Sequence, residues 1–366
     1  MAEPLKHLIG HHTARDTADA VARAFAPFER AAFLEDILPV IDTLELMQRG
    51  KLIATALHRH LPPDFEATVP ILHACLARVD RPGLTGWALL SINQFIAECG
   101  VAHLDLSLDL LKALTPHFTA EFGIRTFIHA QQDRALAIIG PWVADPNHHV
   151  RRLASEGTRP RLPWAMRLPA LVRDPQPILP ILEALMDDPE DYVRRSVANS
   201  LNDIAKDHPD LVAAFVRDAI SNASPQRRQL LRHASRTLLK KGHGEALANF
   251  GFAPAAGVNA AVSIETPGVT FGEHLGFSLT VSNTGSETQR LMLDYAIHHR
   301  KANGSLAPKV FKWTSLDLKP GETQTFMRRH ALRPITTRQY YAGLHRVEIL
   351  VNGAGLASGD FELVMS

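Results

Sequence analysis

A ten-residue pattern that occurs twice constrains this chain more than any other feature. Asp145-Pro146-x-x-x-Val150-Arg151-Arg152-x-Ala154 returns 43 residues later as Asp188-Pro189-x-x-x-Val193-Arg194-Arg195-x-Val197. Each copy reads as a loop ending in Asp-Pro, then an amphipathic helix that opens with two arginines. A period near 40 residues built from helix pairs predicts stacked units, each burying its apolar face on the next, with a concave side suited to a long ligand. Arginines at one place in each unit would form a row along that side, and a phosphate backbone is the natural partner for such a row.

Charge supports a focused rather than a diffuse field. The formal net charge is only +1. Yet from Arg151 to Arg173 six arginines (151, 152, 159, 161, 167 and 173) face a single acid, Glu156. From Ala223 to Lys241 there are six basic side chains and no acid. Either run alone reads as a solvated face; two runs with the repeat point to a phosphate partner. Cys75 and Cys99 are the only cysteines, both in apolar helical surroundings, so a disulfide framework is not expected. The N-terminus lacks a continuous apolar core segment, and no apolar stretch reaches 18 residues. The expectation is a cytoplasmic monomer that neither crosses a membrane nor is secreted.

The hydrophobic period divides the chain at 254/255. Up to Leu247 apolar residues recur three and four apart, punctuated by Pro62-Pro63, Pro70, Gly100, Pro116, Pro146, Pro163, Pro189 and Pro209. Gly251 to Gly257 breaks that pattern, and the period then becomes two: Phe277, Leu279, Val281, then Leu291, Leu293, Tyr295, Ile297. Turns are signalled at Asn283-Thr284-Gly285, Asn303-Gly304, Pro320-Gly321 and Asn352-Gly353. The expected architecture is an α-solenoid of HEAT-like repeats over 1–254, then an all-β immunoglobulin-like sandwich of about seven strands over 255–366. Basic residues continue there (Arg300-Lys301, Lys309, Lys312, Arg328-Arg329-His330, Arg333), as a domain closing on DNA from a second side would require.

Three segments offer chemistry. On the helix expected from Tyr192 to Ala205, Val193, Val197, Leu201 and Ile204 form one buried stripe, and Ser196, Asn199 and Asp203 a polar one beside Arg195. By periodicity alone Asp203 is a solvated charge. Glu121 and Arg125 stand four apart, which reads as a surface ion pair worth about 0.3–0.5 kcal/mol. In Glu156-Gly157-Thr158-Arg159-Pro160-Arg161-Leu162-Pro163-Trp164 two prolines stiffen a loop carrying two arginines and a tryptophan. That indole either stacks on a sugar or base or covers the end of a helix pair, and packing is the simpler reading. The pairs His11-His12, His148-His149 and His298-His299 lack zinc-site context, so no metal is expected. Nucleotide-cradling glycine loops and a serine nucleophile elbow do not occur.

Together Thr119–Arg125, Ala154–Trp164 and Tyr192–Asp203 resemble the AlkC branch of the HEAT-like DNA alkylation repair glycosylases, one subgroup of which carries an immunoglobulin-like domain. The resemblance implies a cofactor-free, monofunctional glycosylase that removes cationic N-alkylated bases, chiefly 3-methyladenine, from double-stranded DNA without a base-flipping pocket. It assigns catalytic roles to Glu121, Asp203 and Trp164. Arg152, Arg159, Arg161, Arg194, Arg195, Asn199, Arg228 and Arg232 are then expected to hold DNA. An alkylated base is already a good leaving group, so fixed negative charge near an oxocarbenium-like sugar is what would help; neutral adducts would be poor substrates. Two alternatives remain at this point: a non-catalytic HEAT-repeat scaffold for nucleic acid, and a lyase working through Lys240 or Lys241.

Overall fold

The computed structural model describes residues 5–77, 80–335 and 338–365. Sixteen α-helices are formed among them: α1 (His11–Ala24), α2 (Arg30–Glu35), α3 (Leu46–His60), α4 (Phe65–Cys75), α5 (Ala88–Cys99), α6 (Leu104–Leu114), α7 (Glu121–Ala130), α8 (Gln132–Ile139), α9 (His148–Gly157), α10 (Pro169–Arg173), α11 (Leu179–Ala184), α12 (Asp191–Ile204), α13 (Pro209–Ile220), α14 (Pro225–Ala234), α15 (Arg236–Lys240) and α16 (Gly244–Ala248). None is long and apolar enough to cross a membrane. One compact unit comprises the chain up to Asp207 together with Ser224–Ala234; the other comprises His208–Ala223 and the chain from Ser235 onward.

In the first unit α3, α5, α7, α9, α12 and α14 pack one on the next in a single row, and α1, α4, α6 and α8 form a second. This is the stacking that the 43-residue pattern demands. The stripe read on α12 is buried, with Val193, Val197 and Leu201 at 0% and Ile204 at 1% exposure. Each such side chain contributes about 1.5–3 kcal/mol over its exposed state. Pro70, read as a break, instead lies inside α4.

The conserved shape of the pattern has a local cause. Arg151 Nη1 donates to the carbonyls of Asp145 and Pro146 (3.0 and 3.1 Å), and Arg194 Nη1 donates to those of Asp188 and Pro189 (2.6 and 2.8 Å). The Asp carboxylates accept from the amides of Asn147 and Glu190 (both 2.9 Å). The first arginine of each pair thus ties its own helix to the Asp-Pro loop that starts it. Arg151 also forms a forked pair with Asp188 of the next unit, at 2.6 and 3.0 Å. Arg194, expected on DNA, has Nη1 engaged by backbone and Nη2 3.6 Å from Asp191 Oδ1.

Among the described residues the second unit contains eight strands, where about seven were expected: β1 (Val258–Ile264), β2 (Gly268–Thr270), β3 (His274–Asn283), β4 (Gln289–Arg300), β5 (Leu306–Leu318), β6 (Thr323–Ala331), β7 (Gly343–Val351) and β8 (Ala354–Val364). They form sheets ordered β1-β3-β6 and β2-β8-β7-β4-β5, antiparallel except for β2 on β8. The alternation read from sequence supplies the core. Phe277, Leu279 and Val281 from one sheet meet Leu291, Leu293, Tyr295 and Ile297 from the other, all at most 1% exposed. The intervening β4 residues are covered as well (Met292 and Asp294 at 4%, Ala296 at 1%), so alternation here marks two buried faces rather than a dry and a wet one. His330, counted in a basic surface run, accepts or donates at Tyr295 Oη (3.0 Å) and packs against the Phe311 ring.

Candidate active site

Two glycines set the distance between the helices that carry the site. A Cβ on Gly157 would lie 2.0 Å from Ile124 Cδ1, and one on Gly123 would lie 2.7 Å from Asn93 Oδ1 and from Leu111. Only hydrogen at these positions lets α7 approach its neighbours so closely. Glu121 opens α7, where the helix dipole favours a carboxylate. Thr119 Oγ1 donates to Glu121 Oε2 at 2.5 Å, and Arg152 Nη1 donates to the same oxygen and to Thr119 Oγ1 (2.8 Å).

From Arg152 a chain of alternating charges runs through the unit. Arg152 Nη2 lies 3.4 Å from Glu156 Oε1, and Arg159 Nη1 donates to that oxygen at 2.6 Å. Arg159 continues to Asp203 Oδ2 through Nε (2.9 Å) and Nη2 (2.8 Å), and Lys206 Nζ donates to Asp203 Oδ1 at 2.7 Å. Side-chain exposures of 8% for Glu156 and Arg159 and 2% for Asp203 place the middle of this chain out of water. Burial opposes the charge on Arg159, but Glu156 and Asp203 outweigh it and hold its pKa above the usual guanidinium value.

The loop after α9 is stapled from beneath. Arg125, 0% exposed, donates Nε to the Met166 carbonyl (2.7 Å) and Nη1 to the carbonyls of Gly157 (3.0 Å) and Arg159 (2.7 Å). Burial, with Arg159 nearby, brings its pKa down to about 10. The surface pair expected between Glu121 and Arg125 is therefore corrected: Arg125 faces the loop, and Glu121 is bound by Thr119 and Arg152. At the outer end of the loop Trp164 has φ 63° and is 77% exposed. A bulky residue in the left-handed region carries strain of about 1–3 kcal/mol, and an indole so exposed covers no helix pair. The packing reading of Trp164 is overturned.

Asp203 is likewise not a solvated charge. α12 sits between α9 and α14, so its polar stripe is covered at Ser196, whose Oγ accepts from Ser155 Oγ (2.7 Å), and at Asp203, 2% exposed, while Asn199 Oδ1 pairs with the exposed His233 Nε2 (3.1 Å). Among the arginines expected on DNA, Arg159 is enclosed by two carboxylates, and Arg161 is held by Asp207 through a forked pair (2.6 and 2.7 Å). Arg152 is 15% exposed within the charge chain. Arg195, 69% exposed though paired with Asp191, borders a cleft of about 140 Å3 between α12 and α14 that Gln226, Gln229 and His233 also line. Arg228 is exposed and Arg232 half-buried on α14.

Sequence reasoning missed Glu156 and Tyr192 as site residues. The signal for Tyr192 was available: it stands one residue before Val193, as His149 stands before Val150, and the two rings meet edge-on at 5.7 Å. The Arg152 guanidinium lies over the Tyr192 ring, 5.1 Å from its centroid.

The site thus combines stacked helical repeats, a buried line of carboxylates and guanidinium groups, and a stapled loop that presents an exposed tryptophan. Residues 117–238 match the DNA alkylation repair enzyme family, and residues 258–365 match the C-terminal Ig-like domain of the uncharacterised protein YhaZ. The chain belongs to the AlkC/AlkD-like DNA alkylation repair family with a YhaZ-type Ig-like domain. It is 35% identical to the uncharacterized protein YhaZ of Bacillus subtilis (strain 168) over 361 residues, 98% of this chain and 99% of that protein. It is also similar to the alkylpurine DNA glycosylase AlkC of Pseudomonas fluorescens, solved bound to DNA containing an abasic site analog. Identity there is 36% and the TM-score 0.87, over 99% of this chain and 100% of the other.

Proposed function

We propose that this chain is a monofunctional DNA glycosylase of the cytoplasm that excises cationic N-alkylated bases, chiefly 3-methyladenine, from duplex DNA without drawing the base into a pocket. The observation that carries this reading is Glu121: a buried carboxylate at a helix N-terminus, locked by two donors, at the end of the charge chain where Arg152 lies against the partly exposed Tyr192 ring. A scaffold gripping phosphates gains nothing from carboxylates there, since they would oppose the polyanion. A sugar losing a cationic leaving group does gain from them. Glu121 stabilises the positive charge at C1′ and orients water. Trp164, projecting from its stapled loop, meets the sugar with a π-face. Asp203, with both oxygens engaged, acts through Arg159 and Glu156 as a positioning residue that keeps Arg152 and Glu121 in place. Arg195, Arg228, Arg232 and Asn199 contact the DNA backbone.

The test is incubation with methylated duplex DNA and chromatography of released bases. Free 3-methyladenine is expected from the wild type, with Glu121→Gln slowed by roughly a hundredfold or more and DNA affinity nearly unchanged. DNA binding without any released base would refute the glycosylase reading in favour of a scaffold.

A further inference from the structure

Arg152 occupies a place shaped for a flat, delocalised cation. Its guanidinium has Glu121 Oε2 and Thr119 Oγ1 (2.8 Å) at one nitrogen, Glu156 Oε1 (3.4 Å) at another, and the Tyr192 ring against its face, 5.1 Å from centroid to Cζ. The Tyr192 side is open, for this residue is 43% exposed. Its ring is flanked edge-on by His149 at 5.7 Å and His148 at 6.3 Å, so the aromatic surface extends across the starts of α9 and α12. Burial holds the Tyr192 hydroxyl above its usual pKa and, with His148 and Arg152, holds the His149 imidazole below its own. The Tyr192 and His149 rings therefore present uncharged π-surface at neutral pH. A carboxylate floor with an aromatic wall is the arrangement that prefers a planar cation to a neutral molecule of the same shape.

We propose that Tyr192 is the specificity-determining residue that reads the positive charge of the lesion nucleotide, and that Arg152 is an internal stand-in for that charge. This rests on the glycosylase reading above and names the residue that distinguishes charged from neutral adducts at the same site. When a duplex is bound, a backbone phosphate competes for the Arg152 guanidinium, and the ring and Glu121 become free for the substrate. The shared chemistry is a delocalised cation, which has two sources: the alkylated base, or the sugar as the glycosidic bond breaks.

The experiment measures preferences with the full chain. One pair of duplexes carries a cationic pyrrolidine or a neutral tetrahydrofuran abasic analogue, which isolates the sugar charge. The other carries 3-methyladenine on a cleavage-resistant 2′-fluoro sugar or its neutral 3-deaza isostere, which isolates the base charge. Wild type is expected to prefer the cationic member of at least one pair. Tyr192→Leu should cut that preference about three- to thirty-fold, while Tyr192→Phe keeps it within about threefold. Loss confined to the first pair assigns the sugar; loss confined to the second assigns the base. The proposal is overturned if wild type shows no preference, if Tyr192→Leu retains it on both pairs, or if Tyr192→Phe loses as much as Tyr192→Leu. Base release by wild type is scored separately: none released, with the preference intact, would sink the glycosylase reading and leave the cation site standing.

Discussion

Replacing Arg125 with methionine separates the stability of the fold from the placement of the site. The three carbonyls that Arg125 holds would lose their donors, and an unsatisfied buried carbonyl costs about 1–3 kcal/mol. Against this, the cation is held at a pKa of about 10, which means burial already costs the charged form about 3 kcal/mol at 1.36 kcal/mol per pKa unit. Methionine removes that cost and fills similar space. Because Met166 is 43% exposed, water can satisfy its carbonyl. The carbonyls of Gly157 and Arg159 stay orphaned. The two sides nearly offset, so net destabilisation should stay below about 3 kcal/mol, a fall in Tm of at most about 12 °C. The loop itself loses its staple. Amides of residues 158–166 should exchange at least about tenfold faster, and single-turnover base release should fall far more than stability does. Arg125→Lys should not rescue, since one ammonium cannot span three carbonyls. Global unfolding would show that the bonds outweigh burial, and wild-type loop protection with wild-type excision would show that Arg125 does not place the loop. Either result refutes the reasoning.

Gly157→Ala puts a methyl 2.0 Å from Ile124 Cδ1, where Ile124 is fully buried and cannot swing away. Overpacking of this kind costs about 1–3 kcal/mol, and it also pushes α9 from α7 and so Arg152 from Glu121. Thermal melts and excision assays should both fall, and adding Ile124→Val, which removes Cδ1 but keeps a carbon at the Cγ1 place 2.7 Å away, should recover part of each; strictly additive effects would deny the contact. In the second unit, burial lowers His299 to about 3 and His330 to about 4. Depressed imidazole pKa values mean that the folded form refuses protons that the unfolded chain accepts below pH 6.5. Stability is thus fully present above about pH 7 and declines as pH falls from about 6.5 to about 3, by up to about 4–5 kcal/mol from His299 alone. Exchange of β3 and β4 amides, corrected for intrinsic rates, should show the loss. His299→Gln, which keeps an acceptor for Arg338, should flatten it, and a profile unchanged in that variant would exclude His299 as its source.

How much of this was legible varies residue by residue. The stripe Val193, Val197, Leu201, Ile204 and the alternation Phe277, Leu279, Val281 were readable because helix and strand periods are properties of local sequence. Asp203 was misread for the complementary reason. A helical wheel reveals one apolar face, whereas a helix inside a repeat array has two covered flanks, and only the neighbours α9 and α14 make the second visible. The arginine-rich stretch from 151 to 173 was counted as a positive surface because its counter-charges lie 31 to 46 residues away, on Glu121, Asp188, Asp203 and Asp207. The i,i+4 rule likewise joined Glu121 to Arg125, which share a face of α7 but engage different partners: Thr119 and Arg152 for Glu121, the carbonyls of Gly157, Arg159 and Met166 for Arg125. Local charge counting fails in a solenoid because adjacent helices of one row come from distant stretches of sequence.

That arrangement bears on how one protein can hold a polyanion and still stabilise a cation. Isolated carboxylates near the DNA would weaken binding, and desolvated ones would take up protons. Here Glu121, Glu156 and Asp203 alternate with Arg152, Arg159 and Lys206, so the chain as a whole carries no net charge. Each carboxylate faces a guanidinium or ammonium group. Only at the Glu121 end does the chain meet a partly exposed aromatic ring, and there the terminal cation is Arg152. A substrate charge that replaces Arg152 finds its counter-ion already desolvated and oriented, so little reorganisation is left to the moment of bond breaking. The same logic explains the demand for glycine at positions 123 and 157. A shift of one methyl group between α7 and α9 would lengthen the contact at the end of the chain, where the geometry matters most.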